Sequence, residues 1–108
     1  MTDGFVVDPA PFDNLDRVVH EPARLLLLAI LSEVDAADFR FLKNQTRTTG
    51  GNLSFHLNKL EAAGLVKMEK TFVRKKTPRT LVRLTQPGRT ALQNYRGLLD
   101  AILKMLAA

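Results

Sequence analysis

The apolar residues of this chain recur mostly at helical spacing, with one central stretch at strand spacing. The segment Pro22–Ser32 is apolar nearly all round from Leu25 to Leu31, which is typical of a helix buried on more than one side. Pro22 fits its first turn, where a missing amide needs no partner. In a small domain we expect another subunit to cover the second side. A short helix is predicted ahead of it, over Asn14–His20.

A capped amphipathic helix is predicted over residues 49–63. Thr49 can accept a hydrogen bond from a free amide of the first turn, and Gly64 follows where helices commonly end in a left-handed residue. One face is apolar and the other is polar, with one base and no acid. The apolar face carries Leu53, Leu57 and Leu60, and the polar face carries Gly51, Asn52, Phe55, Asn58 and Lys59.

A brief helix from Phe39 to about Gln45, capped by Asp38 and facing inward through Phe39 and Leu42, precedes this segment. The connection between the two helices is only Thr46–Thr48. A helix, a tight turn and a second capped helix together predict a helix-turn-helix. A small edge strand is a further option over Val34–Ala37.

A β-hairpin is predicted after Gly64. Its strands run from Leu65 to Val73 and over Thr80–Thr85, joined by a turn over residues 74–79 that contains Pro78. Residues 67–83 hold seven bases and one acid. A basic hairpin directly after such a helix is expected to act as a wing that enters the minor groove of DNA or grips phosphates.

The last helix, starting at Thr85 and Pro87, carries an apolar seam at 3-4-3-4 spacing. Its own domain can cover only part of this seam, so a homodimer is predicted; in the alternative, the helix folds back entirely on its own domain. The predicted interface residues are Leu92, Tyr95, Leu99, Ile102 and Leu106. The expected organisation is a flexible N-terminal arm (1–13), a winged-helix domain (14–86) and a dimerisation helix (87–108), mainly α with a small β-hairpin.

Charge is distributed unevenly along the 108 residues. Residues 1–40 hold eight acids and three bases, whereas residues 41–108 hold thirteen bases and three acids, which gives a net charge of +5. This separation of acidic and basic residues suggests that one surface of the protein binds a polyanion. The alternative is ordinary charge segregation on a soluble dimer.

Several classes of function find no support in the sequence. The absence of cysteine excludes disulfides and thiolate metal sites, and neither histidine has acids at metal-ligand spacing. Catalytic motifs and glycine-rich phosphate loops are also absent. The longest apolar run is too short to span a bilayer, and nothing resembles a secretion signal. We therefore expect a cytoplasmic protein that is not an enzyme and uses no metal or cofactor.

Five segments are informative when they are taken in order: Asp16–Arg24, Gly51–Leu57 (Gly-Asn-Leu-Ser-Phe-His-Leu), Leu60–Val66 (Leu-Glu-Ala-Ala-Gly-Leu-Val), Pro78–Thr80 and Leu84–Arg89. Together they resemble the small winged-helix transcriptional regulators related to the MarR and ArsR groups. The resemblance runs from about residue 14 to the end. It implies a dimer that binds operator DNA, with one recognition helix in each major groove and the wings alongside. It also implies that a small-molecule effector, if there is one, binds at the dimer interface.

Gly50 and Phe55 depart from the pattern of this family. An acid is common at the position of Gly50, and a basic or small polar residue is common at that of Phe55. Phe55 could meet a thymine methyl group or pack against Phe39 or Phe41. Gly50 and Gly51 weaken the first turn by ~1 kcal/mol each, but let the backbone approach a phosphate.

Twelve residues are predicted to contact DNA: Arg47, Thr49, Gly50, Gly51, Asn52, Phe55, His56, Lys59, Arg74, Lys75, Lys76 and Arg79. Asn52 could read an adenine edge or cap the first turn. His56 is favoured as a packing residue, with a phosphate contact as the alternative. Lys59 and Arg47 suit phosphates, and Lys59 could instead be a solvated surface residue.

The sequence thus predicts a homodimeric, sequence-specific DNA-binding transcriptional regulator. The alternative is a winged-helix module that docks onto a protein or a ribonucleoprotein, since fold alone does not fix function. An acidic partner protein would also satisfy the basic wing.

Overall fold

The structure is a computed structural model, which describes residues 15–74 and 76–106. The predicted N-terminal arm, residues 1–13, and the predicted contact residue Lys75 lie outside the described residues. The order of elements is α1 (Pro22–Ser32), β1 (Ala37–Asp38), α2 (Phe39–Thr46), α3 (Gly50–Ala62), β2 (Val66–Val73), β3 (Thr77–Leu84) and α4 (Gln86–Leu106). The predicted fold class, mainly helical with a small sheet, is confirmed.

The core lies where three helices meet the base of a small antiparallel sheet. Its fully buried side chains are Val19 of the turn before α1, Leu27, Leu28 and Leu31 of α1, Leu42 of α2, Leu53, Leu57 and Leu60 of α3, and Val82 of β3. The leucines of α3 are the three that its helical spacing predicts. Leu26 stays 46% exposed on α1, so this helix is covered on only part of its apolar surface.

The segment before α1 is a turn and not the predicted short helix. The carboxylate of Asp16 accepts hydrogen bonds from the amides of Val18 and Val19, at 2.9 and 3.3 Å. The amide of His20 closes one turn by donating to the carbonyl of Asp16 at 2.7 Å, and the turn goes no further because Glu21, the residue before Pro22, is extended. Helix α1 then begins with Pro22 in its first turn, and the Glu21 carboxylate caps it by accepting from the amide of Arg24.

The sheet has the strand order β1-β3-β2. Strand β2 ends at Val73 as predicted, whereas β3 begins at Thr77, three residues earlier than predicted. Residues 77–79 belong to β3, so the predicted start of this strand at Thr80 is wrong. The small strand β1 lies at Ala37–Asp38, so it begins three residues later and ends one residue later than expected. It pairs only with Leu81 and Val82, which leaves an open edge beside Pro78. A proline lacks the amide for a sheet ladder and fits such an edge.

Helix α4 begins where predicted and packs its first half against α1. The hydroxyl of Thr85 accepts from the amide of Gly88 at 3.0 Å, which caps the helix. Tyr95 is buried, and its hydroxyl lies 2.8 Å from Nδ1 of His20. Within the described residues, no helix combines the length and apolar character needed to cross a membrane.

Candidate nucleic-acid interface

Two capped helices and the short turn between them form the predicted helix-turn-helix. Asp38 caps α2 by accepting from the amide of Phe41 at 2.9 Å. The helix ends at Arg47, which adopts a left-handed conformation with φ of 52°. Thr49 then caps α3, because its hydroxyl accepts from the amide of Asn52 at 3.1 Å. The predicted cap is therefore confirmed, and it fixes where α3 starts.

The outer face of α3 is exposed over the turns that the sequence assigns to DNA. The exposed residues from Gly51 to Lys59 are Gly51, Asn52, Ser54, Phe55, Asn58 and Lys59. A Cβ atom at Gly50 or Gly51 would meet nothing within 4 Å. Their backbone at the helix start is thus open to a ligand, and free amides at this position favour an anion. Because Thr49 caps α3, the Asn52 side chain is not needed for the cap, and it is exposed.

Phe55 projects from α3 and is 54% exposed. The ring is therefore not covered by Phe39 or Phe41. That packing was one of the two options that the sequence left open for Phe55. The Nζ atom of Lys59 lies 5.6 Å from the centre of the Phe55 ring, within the range of a cation–π contact. The ring thus holds the ammonium group of Lys59 beside it, and much of the ring surface stays exposed.

His56 lies on the inner side of α3 and contacts the start of α1. Its Nδ1 atom is 3.2 Å from Nη1 of Arg24 and 3.6 Å from Oε2 of Glu21. Arg24 also donates to the carbonyl of Val18 at 2.7 Å. With its side chain only 18% exposed, His56 occupies the helix-packing position that the sequence favoured over a phosphate contact.

Glu21 carries the negative charge of this cluster. Burial by itself would raise the pKa of its carboxyl. Hydrogen bonds from the amides of Arg24 and Ala23, with the charges of His56 and Arg24, outweigh burial and lower the pKa below its usual value of 4.5. Glu21 and Arg24 lie more than 30 residues from His56 in the sequence, so no local pattern could indicate this cluster.

The hairpin presents two faces, and Arg79 lies on the one that carries ion pairs. Arg79 Nε is 3.0 Å from Asp38 Oδ2, and Arg83 Nε is 3.1 Å from Glu69 Oε1. Arg79 is also part of β3 and not of the turn, so its predicted place at the hairpin tip is wrong. Its guanidinium group thus already has a carboxylate partner in Asp38.

Asp38 therefore holds two elements together. The hydrogen bond from the Phe41 amide lowers the pKa of its carboxyl, partly offset by burial, and the hydrogen bond and charge of Arg79 lower it further. One carboxylate thus caps α2 and anchors the strand that leads out of the wing.

The tip of the wing keeps its cations exposed. Arg74 and Lys76 are exposed, and among the described residues neither forms an ion pair. Arg74 has a left-handed conformation, with φ of 53°, which helps to close a turn of three residues. Lys70 is a further exposed base, and no prediction from the sequence included it. It lines a groove with Ser54 and Asn58 of α3.

The predicted dimer residues divide into two groups along α4. Leu92, Tyr95 and Leu99 pack on or beside the core of their own subunit, and Tyr95 is only 7% exposed. Of the other two, Ile102 is half-buried and Leu106 is 76% exposed. Their neighbours Leu103 and Met105, which are not among the predicted interface residues, are 50% and 48% exposed. The described residues bring no three acids and histidines together in a way that could hold a metal ion.

The comparisons with known proteins agree with this architecture. A family model described as a winged helix DNA-binding domain matches residues 23–103. An uncharacterised protein of Methanocaldococcus jannaschii is 33% identical over 79 residues, which cover 73% of this chain and 85% of that protein.

Two solved structures give the same result. The transcriptional regulator homologue protein from Pyrococcus horikoshii OT3 is 27% identical, with a TM-score of 0.84 over 92% of this chain and 99% of that one. A transcriptional regulator of the MarR family from Silicibacter pomeroyi is 26% identical, with a TM-score of 0.59 over 85% of this chain and 63% of that one. The predicted resemblance to MarR-like regulators is thus confirmed.

Proposed function

The chain belongs to the family of winged helix DNA-binding domains, and from this premise we propose that it is a homodimeric, sequence-specific transcriptional regulator. One observation carries the proposal. The exposed face of α3 from Gly51 to Lys59 and the wing residues 70–79 contain bases and hydrogen-bonding groups but no acid. The sugar-phosphate backbone of DNA is the polyanion that such a surface fits.

In this proposal α3 lies in the major groove with its first turns against the bases. Asn52 is placed to read an adenine edge, and Phe55 to meet a thymine methyl group. Lys59 and Arg47 take phosphates, and the open backbone of Gly50 and Gly51 lets an amide reach another. The wing then follows the neighbouring minor groove with Arg74 and Lys76 at its tip.

The homodimer is proposed from the apolar surface that one subunit leaves open. Leu103, Met105 and Leu106 of α4 are each about half exposed or more, and Leu26 of α1 is 46% exposed. Pairing of two α4 helices would cover these side chains. A two-fold axis between them would set the two copies of α3 about one turn of DNA apart, roughly 34 Å.

Binding of DNA by a dimer predicts a steep dependence on salt. In a fluorescence-anisotropy titration with a labelled duplex selected from genomic fragments, log K should fall linearly with log salt. Each phosphate contact should add about −0.9 to the slope. Titration at stoichiometric concentration should saturate at two chains per duplex. Binding with no salt dependence, or no fragment selected above background, would sink the proposal.

The groove between α1 and α4 is suited to a small-molecule effector. Leu25, Leu92, Tyr95 and Leu99 supply apolar walls, and Arg89 and Arg96 lie at its side. Apolar walls with two cations suit an organic anion, and the proposed dimer surface of α4 begins close by.

A thermal-shift screen of aromatic and aliphatic carboxylates tests this site. We expect a binding anion to raise Tm in the wild-type protein but not in an Arg89→Gln/Arg96→Gln variant, because the variant lacks the charges that hold the carboxylate. Asn94→Ala, an exposed change on the same helix that does not line the groove, is the control. An equal shift in the double variant would place the anion elsewhere.

A further inference from the structure

The wing has an apolar tip that the DNA-binding surface described so far does not use. In the register of the hairpin, Val66, Met68, Lys70 and Phe72 of β2 lie opposite Leu84, Val82, Thr80 and Pro78 of β3. Residues directly opposite one another in an antiparallel pair point to the same face. The face that is buried at Val66 and Val82 therefore continues outward to Phe72 and Pro78.

The outer end of this face lies beyond the core. Phe72 lies six residues beyond Val66, about 20 Å along the strand. Its exposure is 63%, against 2% for Val66. Pro78, directly opposite, is exposed as well. The hairpin thus presents a phenylalanine and a proline side by side at its tip.

Cations surround these apolar side chains. Lys70 precedes Phe72 by one step on the same face, and Arg74 and Lys76 form the turn. From residue 70 to residue 80 there are five bases and no acid. A second wing tip would be repelled by this charge. The partner must offer anions around an apolar interior, which is the arrangement of phosphates around the stacked bases of a duplex.

We propose that the wing is a minor-groove wedge, in which Phe72 inserts at a base step and partly unstacks it. This inference rests on the proposed function. Phenylalanine and proline are side chains that DNA-bending proteins insert in this way, and the duplex then kinks towards the major groove. Lys70, Arg74 and Lys76 hold the flanking phosphates. Insertion costs less at base steps that deform easily, so we expect flexible pyrimidine–purine steps beneath the two wings of the dimer.

The test uses the full chain and a 40-base-pair duplex that the wild-type protein has selected from a random library. The adenine analogue 2-aminopurine, whose fluorescence rises when it unstacks, is placed in turn at each step outside the major-groove contacts. We expect a rise at one step in each half-site with the wild-type protein. Phe72→Ala should abolish this rise, while Phe72→Leu, which retains an apolar wedge, should keep part of it.

Two control variants separate the wedge from general binding. Lys70→Gln should weaken affinity without removing the fluorescence rise, and Phe41→Ala, another exposed phenylalanine, should change neither. Phe72→Ala should keep affinity within about tenfold of the wild-type value, because the phosphate contacts remain.

The outcomes also separate the wedge from the function on which it rests. If the library yields no selected duplex, the proposed function fails. If the wild-type protein binds the selected duplex without unstacking any step, or if Phe72→Ala keeps the full rise, the wedge is overturned and DNA binding stands. If Phe72→Ala instead only abolishes co-sedimentation with phosphatidylglycerol vesicles, the tip contacts membranes and the wedge is likewise overturned.

Discussion

Replacing Arg74, Lys75 and Lys76 together with glutamine should weaken DNA binding at least about a hundredfold at 0.15 M salt. A dimer would lose six cations from its two wing tips. If all six contact phosphates, the slope of log K against log salt should become shallower by about 5. Both quantities follow from anisotropy titrations of the wild-type protein and the triple variant over a range of salt.

The matched control is Arg79→Gln/Arg83→Gln, in the same hairpin. Each of these arginines already pairs with a carboxylate, Asp38 or Glu69, so we expect a loss of less than about tenfold and a nearly unchanged slope. If the control loses as much as the triple variant, overall charge governs binding and the tip has no special role. If the triple variant binds as the wild-type protein does, the alternative of a protein-docking module gains support.

Local signals in the sequence predict the four helices α1 to α4 and the hairpin, but not the turn before α1 or the bounds of β1 and β3. Thr49 and Asp38 mark helix starts because each cap acts within three residues. Gly64 adopts a φ of 78°, as its place after α3 predicts. The period of the leucines in α3 indicates which face is buried, since a helix repeats its faces within a few residues.

The long-range pairings could not be predicted in this way. Arg79 and Asp38 are 41 residues apart, and His20 and Tyr95 are 75 apart. In the sequence Arg79 is indistinguishable from Arg74 and Lys76, which form no ion pair with any residue that the structure describes. Only the register of β1 against β3 brings Asp38 beside it. The location of cations was therefore predictable, but which of them remain available to DNA was not.

The same limit applies to the ends of the wing. The sequence predicts that Pro78 lies in the turn, because proline is common in turns. It lies within β3, opposite Phe72 of β2, and β1 stops short of it, which leaves the other edge of β3 open at this point. The role of Lys70 and Phe72 depends on the register of the hairpin, which places them on one face, opposite Thr80 and Pro78.

Two glycine-to-alanine changes in α4 should alter stability in opposite directions. A Cβ at Gly88 would clash with the backbone carbonyl oxygen of Leu65 and lie 2.7 Å from Cδ1 of Leu84. The Leu65 carbonyl cannot easily move away, since it accepts from the amide of Thr85 at 3.1 Å. We expect Gly88→Ala to lower the free energy of unfolding by about 3 kcal/mol, a large part of the stability of a small domain.

Gly97→Ala is the matched change on the same helix. A Cβ there meets nothing within 4 Å in one subunit, and alanine favours an exposed helix interior over glycine by up to ~1 kcal/mol. Urea denaturation at one fixed protein concentration measures both variants. If the free energy of unfolding of Gly88→Ala lies within about 0.5 kcal/mol of the wild-type value, the close approach of α4 to Leu65 is contradicted. A destabilising Gly97→Ala would instead indicate that the partner's α4 packs against Gly97, which would place the dimer axis along this part of the helix.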